Sequence, residues 1–206
     1  MAQGQLAAGC IGIARWDREH DGKRDGPALK SLASLRMDRV AIIGCGGSGK
    51  SHLARQLAQQ LDVPVTHLDA VYYDDQWQAL PKEQFTAVQE NLVAQPRWVI
   101  EGNYASTLSV RLAAADTVIV LDLPVRTCLR GVLQRRLRHG GGQHPAIGVY
   151  DRINWSFIRY ILSYRRAMLP RVHGLIADHA HHADLVVLRR RRAARRFLTS
   201  LRPNQG

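Results

Sequence analysis

The apolar run that organises the chain is Val40-Ala41-Ile42-Ile43, with no polar residue interrupting it. A strand wetted on one face alternates apolar and polar residues, whereas an unbroken, largely β-branched run marks a strand covered on both faces. After Gly49 the period changes. Leu53, Leu57 and Leu61, with Ala54 and Ala58, recur at helical spacing and predict a helix over 50–61. Asp62-Val63-Pro64 stops it, and Val65-Thr66-His67-Leu68 predicts a short second strand that leaves Asp69 at its C-terminal end. Pro81 opens a helix running to about Ala94, with Phe85, Val88 and Leu92 on one face. Trp98 to Glu101 reads as a third strand, a short helix containing Arg111 follows, and Thr117 to Asp122 reads as a fourth strand closed by Leu123-Pro124.

The C-terminal third is more basic. A helix carrying Arg126, Arg130, Arg135, Arg136 and Arg138 runs to Gly140-Gly141-Gly142. The stretch 143–171, with Trp155, Phe157, Tyr160 and Tyr164 among arginines, predicts a long helix; 184–188 is a fifth strand and 189–201 a last helix. Five strands alternating with helices predict an α/β fold with a parallel sheet between helical layers. Residues 1–36 lack sustained periodicity and are expected to form a poorly ordered extension ahead of one domain over 37–206. Met37, two residues before the first strand, is a second candidate start of translation.

Composition changes the picture little. At 46% hydrophobic and 22% charged residues the chain is ordinary for a globular protein. Cys10, Cys45 and Cys128 are odd in number and lack metal-ligand spacing, which argues for a reducing cytoplasm and against a disulfide framework or zinc site. No apolar run is long enough to span a bilayer. The formal net charge of +12 is the unusual number. It fits phosphate-rich ligands and nucleic acid equally.

The strand-to-helix junction decides more. Gly44-Cys45-Gly46-Gly47-Ser48-Gly49-Lys50-Ser51 reads G-x-x-x-x-G-K-[ST] directly after an apolar strand and before a helix, the setting that a phosphate-cradling loop requires. Glycines let backbone N–H groups curl inward and keep side chains clear of a phosphate. The following helix adds the positive end of its dipole. Lys50 can reach the β- and γ-phosphates of ATP, and the Ser51 hydroxyl is placed to ligate Mg²⁺.

Other candidate residues follow from position. Asp69 ends the next strand at the sheet edge where ligands bind, either touching the phosphoryl acceptor or holding Mg²⁺ through water. Asp122 is either the magnesium-ordering acid or a residue of the sheet-edge turn. Arginines clamp transferring phosphoryl groups, yet the five on the basic helix cannot all face one site: Arg126 and Arg130 share a face, as do Arg135 and Arg138. At least half are expected to be solvated. Gly140 to Gly142 would hinge a mobile cover. Tyr72, Tyr73, Trp77 and Tyr104 can stack on a base or sugar, or pack in the core.

Over most of 37–171 the chain resembles the DNA topology modulation proteins (FlaR-like), relatives of adenylate kinase. The resemblance rests on Ile43 to Ser51, His67-Leu68-Asp69, Trp98 to Tyr104 and Leu121-Asp122-Leu123-Pro124, with the arginine helix and the segment Trp155 to Arg166 also similar. It implies an adenylate-kinase-like three-layer α/β/α P-loop fold with a five-stranded sheet, ATP with Mg²⁺, and an arginine-bearing lid over about 130–171. It further implies an acceptor pocket containing Asp69, Gly102, Asn103 and Arg111, to which the residues add Tyr72. The segment Tyr72 to Trp77 departs from adenylate kinase, as does the lack of a zinc-type lid.

Two function classes remain. One is a small-molecule kinase, with Lys50, Asp69, Arg135 and Arg138 as its chemistry-bearing residues. The other is a nucleic-acid binder switched by ATP, supported by the aromatic–arginine interleaving of 155–166 and the run Arg189 to Arg196; a nucleotide-binding protein with little catalysis is a third. The acceptor and the oligomeric state have no signature in the sequence.

Overall fold

A computed structural model describes residues 13–14, 35–144 and 149–201. In chain order the elements are β1 (Ile13–Ala14), β2 (Arg39–Gly44), α1 (Lys50–Leu61), β3 (Val65–His67), α2 (Leu68–Tyr72), α3 (Lys82–Val93), β4 (Trp98–Glu101) and α4 (Leu108–Ala114). They continue with β5 (Thr117–Leu121), α5 (Val125–His139), β6 (Gly142–His144), β7 (Val149–Asp151), α6 (Trp155–His179), β8 (Asp184–Leu188) and α7 (Arg191–Ser200). The main sheet has the order β1-β8-β5-β2-β4-β3 with every pairing parallel.

The apolar run that opens the chain's periodic part is the sheet's centre. Val40, Ala41, Ile42 and Ile43 are all fully buried, because β2 lies between β4 and β5 and helices flank the sheet. Each such larger aliphatic side chain contributes about 1.5–3 kcal/mol through burial. Helix α1 buries the expected stripe Leu53, Ala54, Leu57 and Ala58 and packs against β2, β3, β4 and α7. Helices α4, α5 and α6 form a second packed group, α4 and α5 each meeting α6, with α3 on α4.

The five expected strands are therefore present, as a parallel sheet with flanking helices. Two local expectations change. The stretch expected as a strand through Leu68 ends at His67, and Leu68 starts the one-turn α2, so Asp69 stands in a helical first turn. The stretch 143–171 is not one helix: β6 and β7 pair as an antiparallel hairpin, and α6 begins only at Trp155. Asn154 sets that start, its side chain accepting a hydrogen bond from Phe157 N at 2.8 Å, as an N-cap should. The extension expected over 1–36 falls mostly outside the described residues. Within it, Ile13–Ala14 adds a parallel edge to β8, Leu35 packs against the core, and Thr117 Oγ1 donates to the Arg36 carbonyl. Among the described residues no helix is long and apolar enough to cross a membrane.

Candidate active site

Gly44 ends β2 at the carboxyl edge of the sheet, next to the point where the neighbouring strands β4 and β5 diverge in chain order, which is where open α/β sheets bind ligands. The turn Cys45–Gly49 closes with Ser48 N donating to the Cys45 carbonyl at 3.2 Å, and α1 starts at Lys50. Gly47 has φ 74°; a Cβ there would also lie 2.2 Å from the Cys128 carbonyl oxygen. Its neighbour on α5 is Gly131, where a Cβ would fall 2.0 Å from the Gly47 carbonyl oxygen. Two glycines thus let α5 press directly on the loop. Sequence alone assigns the loop glycines to phosphate approach; Gly131 carries no motif and escapes that reading.

Gly46, Gly47, Ser48, Gly49, Lys50 and Ser51 line a cavity of about 780 Å³. Gly44 and Cys45 lie beneath it. The Cys45 carbonyl accepts from Lys50 Nζ at 3.5 Å, while its buried thiol is pushed up by its neighbour Cys128 and by burial. The Ser48 hydroxyl is buried with no hydrogen-bond partner among the described residues. A cradle of glycines, a lysine and an unsatisfied hydroxyl suits a phosphate chain.

Glu101 is the residue that sequence reasoning missed. It ends β4, opposite His67 of β3 and Ile42 of β2 in the register. Its Oε1 accepts from the Ser51 hydroxyl at 2.8 Å and lies 2.8 Å from His67 Nδ1; Oε2 lies 4.0 Å from Lys50 Nζ. Burial pushes this carboxyl up, but His67, Lys50 and Ser51 outweigh it and hold Glu101 below its ordinary value. The signal available was an acid at the end of a buried strand beside the lysine-bearing loop.

Asp69 faces the same cavity. Its Oδ1 accepts from Tyr104 Oη at 2.5 Å. Burial and the nearby Glu101 charge raise its pKa; Lys50, Tyr104 and Arg135 oppose the rise without cancelling it. Asn103 joins two elements: Oδ1 accepts from Gly44 N at 3.0 Å, and Nδ2 donates to Tyr160 Oη at 2.5 Å. Gly102, Asn103, Tyr104 and Tyr73 line the cavity.

Two residues expected in the acceptor pocket are elsewhere. Arg111 is fully buried, and its guanidinium donates to the carbonyls of Gly102 and Asn103 at 2.8 and 2.9 Å. Burial lowers it to about 10. It holds the loop after β4 from behind, because carbonyls turned inward need donors. Tyr72 is also absent from the lining; its ring packs on Phe85 and Tyr104 at centroid distances of 4.8 and 4.7 Å. The α2 turn instead presents Tyr73.

The arginines divide by face. Arg135 and Arg138 line the cavity, together with Gln134 of the same helix; Arg126 and Arg130 are exposed and outside the lining. Arg135 does not project freely. Its Nε and Nη2 donate to Asp151 Oδ1 at 3.0 and 2.7 Å, and Arg136 Nη1 lies 3.7 Å from Oδ2 of the same buried carboxylate. Asp122 takes the turn alternative: it is bonded by Arg165 at 2.8 and 3.2 Å and has Arg189 at 3.6 Å. Arg191 and Arg195 of α7, which in the sequence belong to the basic run that supports a nucleic-acid binder, line the cavity.

No family model and no curated protein sequence matches the chain. Among solved structures, the shikimate kinase from Acinetobacter baumannii in complex with shikimate aligns with a TM-score of 0.52 at 19% identity, covering 84% of this chain and 94% of that one. A gluconokinase from Sinorhizobium meliloti 1021 aligns with a TM-score of 0.46 at 14% identity, covering 81% and 93%. The first likeness establishes the fold: a three-layer α/β P-loop arrangement of the adenylate-kinase-like type.

Proposed function

We propose that the chain is a P-loop kinase transferring the γ-phosphoryl group of ATP, with Mg²⁺, to a hydroxyl of a small acceptor. The observation that carries this reading is the meeting, in one cavity, of the Lys50–Ser51 loop end with Asp69 and Arg135. The fold shared with a kinase and the resemblance to the FlaR-like relatives of adenylate kinase support it. Three scattered cysteines suit a cytoplasmic setting.

The loop N–H groups and Lys50 would hold the β- and γ-phosphates. Ser51 would ligate Mg²⁺, oriented by the ionised Glu101 that accepts its hydroxyl proton; bound there, the ion supplies positive charge to the β- and γ-phosphate oxygens. Asp69 takes the proton of the acceptor hydroxyl as its oxygen forms a bond to phosphorus and the β–γ bridging bond breaks, releasing ADP. Arg135, fixed by Asp151, and Arg138 face the charge that spreads over the moving group. Acceptor hydroxyls would meet Asp69 and Asn103. The Arg126 and Arg130 face is open to polyanions, but the α7 arginines Arg191 and Arg195 belong to the nucleotide side of the cavity.

The test is ADP release with ATP, Mg²⁺ and a panel of small hydroxylated acceptors. Acceptor-dependent ADP formation is expected, falling at least about a hundredfold in Lys50→Ala. Near-normal turnover by that variant would overturn the assignment.

A further inference from the structure

The cavity is electrically lopsided. On the side built by the phosphate loop, α1 and α7 it presents Lys50, Arg55, Arg191 and Arg195, and Arg138 joins them from α5. Arg55 Nη1 is buried with no partner among the described residues, so this half is short of negative charge. A nucleoside triphosphate supplies it.

The other half is built around Asp69, and its polar lining is hydroxyl and amide: Tyr73, Tyr104, Tyr150, Tyr160 and Asn103. Burial raises Tyr73 and Tyr150, and the negative charge of Asp69 adds to both shifts, which places those phenols within its field. Among the described residues, the arginines near this half are engaged elsewhere. Arg111 is held by two backbone carbonyls. Arg135 and Arg136 share the carboxylate of Asp151. Arg152 lies outside the lining, exposed and 5.7 Å above the Trp77 ring.

An acceptor bearing its own phosphate or carboxylate would bring a second anion beside Asp69 and the buried Glu101, away from water and, among the described residues, without an arginine left over for it in this half. Desolvation and like-charge repulsion both oppose that. A neutral ring with several hydroxyls meets tyrosine faces, phenol and amide hydrogen-bonding groups and one carboxylate, each of which it can satisfy. From this asymmetry, and resting on the kinase reading above, we propose that the acceptor is an uncharged, polyhydroxylated ring compound, of the nucleoside or free-sugar class, and not a phosphorylated or carboxylated one.

The experiment compares matched pairs differing in charge: adenosine against AMP, glucose against glucose 6-phosphate, and methyl shikimate against shikimate. ADP release and the mass of the phosphorylated product are followed with ATP and Mg²⁺. We expect kcat/KM for the neutral member of a productive pair to exceed that of its charged partner at least tenfold, and the productive pair to separate a nucleoside from a sugar. A charged member used as well as or better than its neutral partner would overturn the inference while leaving phosphoryl transfer intact. If no member of any pair elicits ADP above the ATP-only rate, the kinase reading itself falls, and the inference with it.

Discussion

At the scale of single residues, the site turns on a carboxylate held in a poor place for charge. The carboxylate form of Asp69 is the one that accepts a proton, and burial together with Glu101 raises its pKa, so that form fills at a higher pH than for a free aspartate. The acid limb of kcat against pH should therefore lie above the ordinary aspartate range, and Asp69→Asn should remove the limb while cutting kcat by about a hundredfold or more. Linkage gives the opposite sign for stability: the contribution of a raised carboxyl is present below its unfolded pKa and is lost as pH rises through the folded one. Asp69→Asn should accordingly melt no lower than the parent at neutral pH. The loop gives a second contrast. Gly49 has φ 95° with nothing near a Cβ, whereas Gly47 adds the 2.2 Å overlap with the Cys128 carbonyl oxygen to its own positive φ. Alanine at Gly49 should cost about 1–3 kcal/mol in thermal unfolding; alanine at Gly47 should cost more and also separate α5 from the loop. The loop and Asp69 could be read in the sequence because spacing along one strand and one turn sets their place. Glu101, Arg111 and Tyr72 could not be sorted in that way. Whether a side chain on β4, α4 or α2 faces the cavity or the interior depends on partners distant in sequence, such as His67, the Gly102 carbonyl and Phe85.

Among elements, the β6–β7 hairpin does the most that periodicity left unseen. Its strands are three residues each, too short to establish an alternation, and it opens on the last of three glycines that all have positive φ. The hairpin is tied through both of its strands. Gln143 on β6 donates to the Asp74 carbonyl at 2.8 Å, tying it to the loop after α2, while Asp151 on β7 fixes Arg135. Asp151→Asn keeps the shape and removes the charge. Arg135 and Arg136 have side chains 23% and 49% exposed, so water compensates part of the loss and the stability cost should be about 1–2 kcal/mol. Catalysis should suffer more: kcat falling about tenfold or beyond as the guanidinium loses its fixed direction, with ATP affinity nearly unchanged. Steady-state kinetics beside a direct ATP-binding measurement separate the two. Equal loss in both would assign Asp151 to binding instead.

Over the whole molecule, the net charge of +12 is not one property but two. Part of it converges on the cavity, and the last helix shows how. Ala193, Phe197 and Leu198 are buried, and α7 packs against α1, which turns Arg191 and Arg195 toward the phosphate loop. The spacing of Ala193 and Phe197, four residues apart, was a legible helix stripe inside what otherwise reads as a basic tail. Another part, Arg126 and Arg130, is exposed and outside the lining. Replacing both by glutamate lowers the formal charge by four, to +8, and should leave kcat/KM for ATP within twofold. The same change should weaken retention on duplex DNA, with the slope of log K against log salt falling by up to about two, near 0.9 for each phosphate no longer neutralised. Arg195→Glu, which removes one positive charge at the cavity and adds a negative one, should do the reverse, raising KM for ATP with little effect on DNA retention. Loss of turnover in the outer double variant would mean that polyanion binding and phosphoryl transfer share a surface, and the division of charge drawn from the lining would be wrong.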